Sequence, residues 1–297
     1  MNDIDVKIEP GKFYDLSSWE YHHGAGKEWL SKSILSYLLD SPRKFRHEVD
    51  NPEPLDVFDK AAEKFHRGTA FHTYFLEPEK FDSAIVTMKE FSGTGSRAAR
   101  KEWQDEIRTS GLTPIKKDFQ DVILTLKKMI HSGAHETARG IIEGPDNFTE
   151  KSGFWIDEET GMQFKIRPDL IQSDKTLWDI KTHASVKSFQ RQAMDLNYDL
   201  QAAMYLNGVS AITGIEHNSF GFIVFHIAEP PYNIETLICS DEFLASGREK
   251  FDRIMAQYMA CAETGEWPGR YPDDIETLYP TRWRTEQLEN SPFAEFM

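Results

Sequence analysis

Two acidic residues and a lysine near the middle of the chain could together hold a metal ion beside a phosphate. Asp179 and Lys181 stand two apart in a β-type run, so alternation along a strand sends both side chains to one face. Asp169 follows Pro168, which cannot extend a β-ladder, and we expect Asp169 at a strand end or bulge. Carboxylates on either side of a hairpin can meet, and their oxygens suit Mg²⁺. The lysine would add positive charge beside a scissile phosphate.

A histidine in the first half of the chain is a further candidate ligand. The helix predicted over residues 56–76 has apolar residues at steps of three and four, and His72 stands on that face. Gly68, one turn earlier, costs a helix about 1 kcal/mol relative to alanine, and such a glycine often marks the close approach of a ligand or another backbone. Imidazole binds divalent ions. A histidine at this position is also typical of a hydrogen-bonded core residue.

The remaining polar candidates are a helical pair and several basic clusters. Gln201 and Tyr205 are four apart and share one helical face, where they could orient water, the lysine or a phosphate oxygen, or simply form the polar edge of an amphipathic helix. Two of the basic clusters lie near the start of the domain and on the Gly/Ser-rich loop that begins at residue 92. The candidate phosphate contacts are Lys32, Arg43, Lys44, Arg46, Arg97, Arg100, Lys101, Lys165 and Arg167.

Composition limits the function classes. Thirty-four basic against forty-nine acidic residues give a net charge of −15, so any anion-binding surface must be local. Two cysteines are too few for a disulfide framework, a four-thiolate zinc site or a cysteine-ligated iron–sulfur cluster, and a metal must therefore use oxygen or imidazole ligands. No apolar run approaches the roughly 18 residues of a membrane span, and the first residues do not resemble a signal peptide. We therefore expect a cytoplasmic protein without membrane contact.

The elements that must position these residues indicate one α/β (α+β) domain over residues 1–297. A helical part is predicted over about 25–145, a sheet with helices over about 150–262, and a Pro-rich tail over 263–297. Runs at 153–156, 162–171 and 177–181 predict a three-stranded antiparallel meander. The other predicted helices cover 31–48 with a break at Pro42, 117–130, 136–142, the Gln201 region and 241–261, and the other strands cover 219–226 and 233–239.

Taken together and in order, the motifs resemble the PDDEXK nuclease superfamily, and within it the C-terminal nuclease domains of RecE type (exonuclease VIII). The resemblance spans about residues 20 to 285. Its most specific stretch runs from Gly68-Thr69-Ala70-Phe71-His72 to Leu76-Glu77-Pro78-Glu79-Lys80-Phe81. The other matching motifs are Tyr21-His22, Ser31-Lys32-Ser33, Ser41-Pro42, Asp157-Glu158-Glu159-Thr160-Gly161, Arg167-Pro168-Asp169, Asp179-Ile180-Lys181-Thr182, Gln201 with Tyr205, Glu266-Trp267-Pro268, Pro280 and Trp283.

The resemblance implies a role for each matched residue. His72, Asp169, Asp179 and the backbone carbonyl of Ile180 would be metal ligands, and Lys181 the catalytic lysine. Many superfamily members have glutamate where this chain has Asp179, whereas RecE-like members also use aspartate. The Gln201 and Tyr205 pair matches the Q-xxx-Y motif of RecB-like nucleases, a support element near the active site. A central mixed sheet flanked by helices is the implied fold, with a helical N-terminal half.

The resemblance also implies an activity and partners. A Mg²⁺-dependent exonuclease, with Mn²⁺ as a substitute ion, would digest one strand of linear duplex DNA from the 5′ end and leave a 3′ single strand for a RecT-like annealing protein. A ring-shaped homotetramer is implied as well.

Two other functions remain open from the sequence. A PDDEXK endonuclease of restriction or junction-resolving type would share the metal site without needing a DNA end. A non-catalytic module that binds DNA ends would need no carboxylate pair beside phosphates, and the joint presence of His72, Asp169, Asp179 and Lys181 disfavours it.

Overall fold

The structure is a computed structural model that describes residues 7–52, 55–185, 188–271 and 277–278. Its strands are β1 Lys12–Tyr14, β2 Ile85–Thr87, β3 Thr113–Ile115, β4 Phe148–Thr149, β5 Ser152–Ile156, β6 Gln163–Ile166, β7 Leu170–Ile171, β8 Thr176–His183, β9 Ser219–His226 and β10 Asn233–Ile238. Its α-helices are α1 Ser18–His22, α2 Lys32–Leu35, α3 Pro42–Asp50, α4 Glu63–Leu76, α5 Phe81–Ala84, α6 Ser96–Ser110, α7 Lys117–Ile130, α8 Glu136–Ile142, α9 Phe189–Asp195, α10 Tyr198–Thr213 and α11 Asp241–Thr264. Short 3₁₀ helices cover Ser36–Leu39 and Pro78–Lys80.

The central sheet has five strands in the order β10-β9-β8-β7-β4. Strands β8 and β9 are parallel, with Thr176 opposite Ser219 and His183 opposite His226, and the other neighbours in this sheet are antiparallel. A second, antiparallel sheet contains β1, β5 and β6, and β2 pairs with β3 in parallel. The predicted mixed sheet with flanking helices is confirmed.

Alternation along β8 separates two cores on the two faces of the sheet. Leu177 packs into the core formed with α10 and α11, whereas Trp178 and Ile180 pack into the core formed with α4 and α7. Asp179 and Lys181 share the face of Leu177 and contact side chains of α10. The prediction that these two charged residues point to one face is therefore confirmed.

The predicted three-stranded meander is wrong, because its middle run is divided between two sheets. Residues 163–166 pair with β5 in the smaller sheet, while Leu170 and Ile171 pair with β8 in the larger one. The division falls at Arg167, Pro168 and Asp169, where proline lacks the N–H group that a continuous ladder would require. As expected, Asp169 lies at the end of a strand.

Several helix boundaries also differ from prediction. Pro42 begins α3 and does not merely end the preceding helix, because Ser41 caps this helix and proline suits its first turn. The helix that carries His72 begins at Glu63 and not at residue 56. Arg97, Arg100 and Lys101 lie on α6 and not on a loop, since the Gly/Ser-rich segment ends at Gly95, which has a φ of +85° immediately before the helix.

Most of the predicted Pro-rich tail, including Pro280 and Trp283, lies outside the described residues. The division of the chain into a helical part, a part with the sheet and a tail stays a prediction. Within the described ranges, none of the helices is both long enough and apolar enough to cross a membrane.

The crossing of α10 and α11 gives a test of the packing. A Cβ atom added to Gly247 would lie 2.0 Å from the carbonyl oxygen of Asp199, so Gly247→Ala must separate the helices. Overpacking typically costs about 1–3 kcal/mol, and we expect a melting temperature lower by several degrees. Gly140→Ala in α8 is the control, because a Cβ there meets nothing within 4 Å and alanine favours the helix. Equal melting temperatures for the two variants in a thermal denaturation experiment would contradict this packing.

Candidate active site

The candidate site forms where the ladder between β7 and β8 stops. The amide of Gln172 donates to the Thr176 carbonyl, and Leu170 lies opposite Trp178, so the next hydrogen-bonded pair would join Pro168 and Ile180. Proline has no N–H to donate, and the polar backbone groups of Ile180 find other partners. Its N–H donates to Asp169 Oδ2 at 2.6 Å, and its carbonyl accepts from His72 Nε2 at 2.9 Å.

Glu150 is the residue that sequence reasoning missed. It follows the two-residue strand β4, has a φ of +51°, and its N–H donates to the carbonyl of Asp169. Its carboxylate lies 3.2 Å from His72 Nδ1 and 2.7 Å from Arg167 Nε. The only sequence signal is an acidic residue shortly before the predicted strand at 153–156, which is too common a pattern to single it out.

His72, Glu150 and Asp169 form a cluster that could hold a metal ion. One ligand atom from each lies within 4.8 Å of the others, and Asp169 Oδ1 is 3.5 Å from His72 Nδ1. Because His72 Nε2 donates to the carbonyl of Ile180, the ring is oriented with Nδ1 toward the two carboxylates, an arrangement typical of metal-bound histidines. Two carboxylates and one imidazole suit a divalent cation.

The second carboxylate predicted from the sequence lies beside this cluster. Asp179 is 2% exposed; its Oδ1 accepts from Gln201 Nε2, and its Oδ2 is 2.5 Å from Lys181 Nζ. Apart from that ion pair, Oδ2 accepts no well-directed hydrogen bond from any residue that the structure describes. This buried oxygen is therefore available for a further positive charge. The Ile180 carbonyl, predicted as a ligand, here accepts the hydrogen bond from His72.

The crowded charges change the proton affinities of the site. Burial lowers the pKa of His72, but Asp169 and Glu150 together raise it to about 9. Burial, and then the charge of Asp179, raise the pKa of Asp169 to about 7. Burial lowers the pKa of Lys181, but Asp179 and Asp169 outweigh burial and hold it above its ordinary value. His72 and Lys181 are thus cationic at neutral pH when no metal is bound.

A cleft of about 900 Å³ opens over these residues. Tyr205 and Tyr198 line it, and Lys181 Nζ lies 4.9 Å from the centre of the Tyr198 ring. Lys32 also lies in the cleft, where Nζ donates to the carbonyl of Leu196, and burial lowers its pKa to about 8. Of the predicted phosphate contacts, Lys32 and Arg167 line this cleft.

Two of the predicted phosphate contacts have other partners. Lys165 is 3% exposed, and its ammonium donates to the carbonyls of Tyr21 and Gly26. Arg167 donates to Glu150 and to the carbonyl of Leu16. Both basic side chains thus hold the N-terminal segment against the smaller sheet. Lys165 is too buried to contact DNA directly.

The remaining basic residues lie on helix surfaces. On α3, Lys44 pairs with Glu48 and Arg46 pairs with Asp50, while Arg43 binds the carbonyl of Pro268 through its backbone N–H. On α6, Arg97, Arg100 and Lys101 are exposed, and no ion pair joins them to another described residue. Their role as DNA contacts stays a prediction.

Known proteins resemble this chain in sequence profile and in fold. The profile of a family described as "PDDEXK-like domain of unknown function (DUF3799)" matches residues 31–278. Among solved structures, a "Putative exonuclease" from Eubacterium rectale is similar with a TM-score of 0.57 and 16% identity, over 92% of this chain and 98% of that one. An alkaline exonuclease from Laribacter hongkongensis has a TM-score of 0.27 and 18% identity, over 66% and 95% of the two chains. No curated protein matches the sequence significantly.

The charges of the site predict how its response to a metal depends on pH. The raised pKa of His72 stabilises the metal-free fold below about pH 6.5, and this contribution is lost as the pH rises through about 9. The raised pKa of Asp169 likewise costs stability as the pH rises from about 4 through about 7. A cation that replaces these protons should therefore stabilise the protein more at about pH 8.5 than at about pH 6.5.

We expect saturating Mg²⁺ to raise the melting temperature by a larger amount at the higher of these two pH values. Glu150→Gln is the matched variant, since it removes one charge and keeps the shape, and its rise should be smaller at both pH values. An equal or larger Mg²⁺ effect at the lower pH would contradict the assignment of these residues as ligands.

Proposed function

Since the chain belongs to the PDDEXK-like family DUF3799, we propose that it is a divalent-metal-dependent nuclease that acts on DNA. The observation that carries the proposal is the His72, Glu150 and Asp169 cluster beside Asp179 and Lys181 at the floor of one cleft. Carboxylates repel a phosphodiester unless a cation lies between them, so this cluster suits a phosphate substrate only with a metal. The same reasoning disfavours a module that only binds DNA.

The residues of the site have separate tasks in this proposal. A divalent ion held by His72, Glu150 and Asp169 would supply Lewis-acid charge to the phosphate and the attacking water. Lys181, which stays protonated beside Asp179, would stabilise the charge that develops as water adds to phosphorus and the P–O ester bond breaks. Gln201 holds Asp179 through Oδ1, so that the other oxygen faces Lys181.

We further propose that the substrate is linear duplex DNA and that one strand is digested from the 5′ end, leaving a 3′ strand for a RecT-like annealing protein. The support is the resemblance to RecE-type domains in the order and spacing of the motifs. A ring-shaped homotetramer is part of the same proposal. With a net charge of −15 per chain, a ring could gather basic helices around a channel while the acidic excess faces outward.

Among the basic clusters, the one on α6 is the better candidate for lining such a channel. Lys44 and Arg46 of α3 are each paired with an acidic residue one helical turn later, which lowers the charge available to DNA. Arg97, Arg100 and Lys101 have no acidic partner within the described part of the chain. Their guanidinium and ammonium groups therefore remain free for phosphates.

The test uses one duplex in two forms, linear with a label at either end and closed circular. We expect Mg²⁺ and Mn²⁺ to support loss of the label from the linear form while the circle stays intact, and EDTA to abolish the reaction. Lys181→Ala should lower the rate by about 10²–10³-fold, measured well below its melting temperature, since it removes charge stabilisation at the phosphate. Its melting temperature should also fall, because the buried Asp179 loses its cation. Lys128→Ala on the exposed face of α7 is the control.

Each other outcome has a defined meaning. Cutting of the closed circle would favour the endonuclease activity over the exonuclease. Robust cleavage in EDTA, or a normal rate for Lys181→Ala, would refute the metal site or the role of the lysine.

A further inference from the structure

One wall of the active-site cleft is formed by the N-terminal segment from Asp15 to His22, which includes α1. This wall therefore includes residues that have no role in the proposed metal site. Leu16 and Tyr21 anchor this segment, since both are buried against Trp29 and Phe154.

A buried lysine and a half-buried arginine hold the segment in place. Arg167 Nη1 donates to the carbonyl of Leu16 at 2.8 Å, just before α1, and Lys165 Nζ donates to the carbonyl of Tyr21 at 2.7 Å, inside it. A capping box closes the start of the helix, with Ser17 and Glu20 bonding each other's backbone N–H groups. A helix of one and a half turns has little stability alone, so these bonds fix its position.

Trp19 is the exception in this anchored wall. Its side chain is 61% exposed and lines the cleft, whereas Trp29, Trp103, Trp155 and Trp178 are buried. The ring lies over Gly24, where an added Cβ would be 3.1 Å from it, so its orientation is restricted.

The segment from Asp15 to His22 contains no lysine or arginine. Its two carboxylates keep their negative charge, although Asp15 pairs with Lys151 at 3.0 Å and Glu20 accepts from the N–H of Ser17. Such a wall does not attract a phosphate, but its open indole suits the flat face of a base.

We propose that Trp19 binds an unpaired nucleobase of the DNA strand in the cleft by stacking. The inference rests on the proposed nuclease function and adds a subsite to it. Arg167 joins this subsite to the metal cluster, because it bonds both the carbonyl of Leu16 and the carboxylate of Glu150. A stacked base would thus be held at a fixed distance from Lys181, and unpaired ends would be preferred over paired ones.

The test measures binding without cleavage, on the Lys181→Ala background with Ca²⁺ in place of Mg²⁺, so that the carboxylates of the cluster are still neutralised. Trp19→Ala should weaken binding of a single strand and of a duplex with frayed ends by about tenfold or more, and of a blunt duplex by less. Trp19→Phe should retain most of the affinity. Phe65→Ala, which removes an aromatic ring that is 57% exposed outside the cleft, should change nothing. The slope of log affinity against log salt should stay the same, because stacking releases no counterions.

An abasic nucleotide moved along the strand locates the contact. At one position the abasic strand should bind Trp19→Ala as well as it binds the protein with Trp19, because the base that stacks is already absent. Additive losses at every position, or equal affinities for Trp19→Ala and Phe65→Ala, would overturn the stacking site alone. No binding of any DNA by the protein with Trp19 would instead overturn the proposed function together with it.

Discussion

The missing N–H of Pro168 determines how the two sheets of this protein meet. A residue able to donate there would continue the β7–β8 ladder to Ile180 and keep the backbone of β8 fully paired. Because proline cannot donate, the pairing with β8 stops at Leu170, and the residues before Arg167 belong to the smaller sheet. The carbonyl of Ile180, left without that donor, accepts from His72, and the N–H of Ile180 donates to Asp169 in place of the Pro168 carbonyl. A single interruption of hydrogen bonding thus places a carboxylate from one strand junction and an imidazole from α4 at the same point.

From that point a continuous set of polar contacts extends through four parts of the chain. His72 of α4 contacts Glu150 after β4, Glu150 contacts Arg167 after β6, and Arg167 holds the carbonyl of Leu16 before α1. Without a metal, three buried carboxylates face three cations, which are His72, Arg167 and Lys181. Breaking one such pair leaves an uncompensated buried charge, which is costly in a protein interior. The protonated His72 therefore stabilises the metal-free site with the charge that a divalent ion would bring.

The part of the site that depends on local geometry could be predicted from the sequence. Alternation along β8 placed Asp179 and Lys181 together, and the helical repeat of four placed Gln201 and Tyr205 on one face of α10, where Gln201 contacts Asp179. Glu150 could not be found in this way, because the two-residue strand that carries it has no pattern and its left-handed backbone is set by contacts with Asp169.

Burial of basic residues was likewise not predictable. Lys165 is a basic residue of the type that contacts phosphate. Its partners Tyr21 and Gly26 lie about 140 residues earlier in the chain, so no local pattern indicates them. Asp105 stands one turn after Lys101 on α6, as Glu48 stands one turn after Lys44 on α3, and only the structure shows that Asp105 pairs with Arg108 instead. Periodicity predicted helices such as α7 and α8 and strands such as β8 and β9, but not the helix α6, and the division of the meander followed from one proline and its register.

The central claim is that the interrupted ladder builds a metal site from His72, Glu150 and Asp169. Anomalous diffraction from crystals containing Mn²⁺ tests it most directly, because the signal locates the ion without reference to activity. The account predicts one strong peak within bonding distance of the carboxylates of Glu150 and Asp169 and of His72 Nδ1, and its loss in Asp169→Asn. A peak elsewhere, or none while His72 keeps its contacts with both carboxylates, would contradict it.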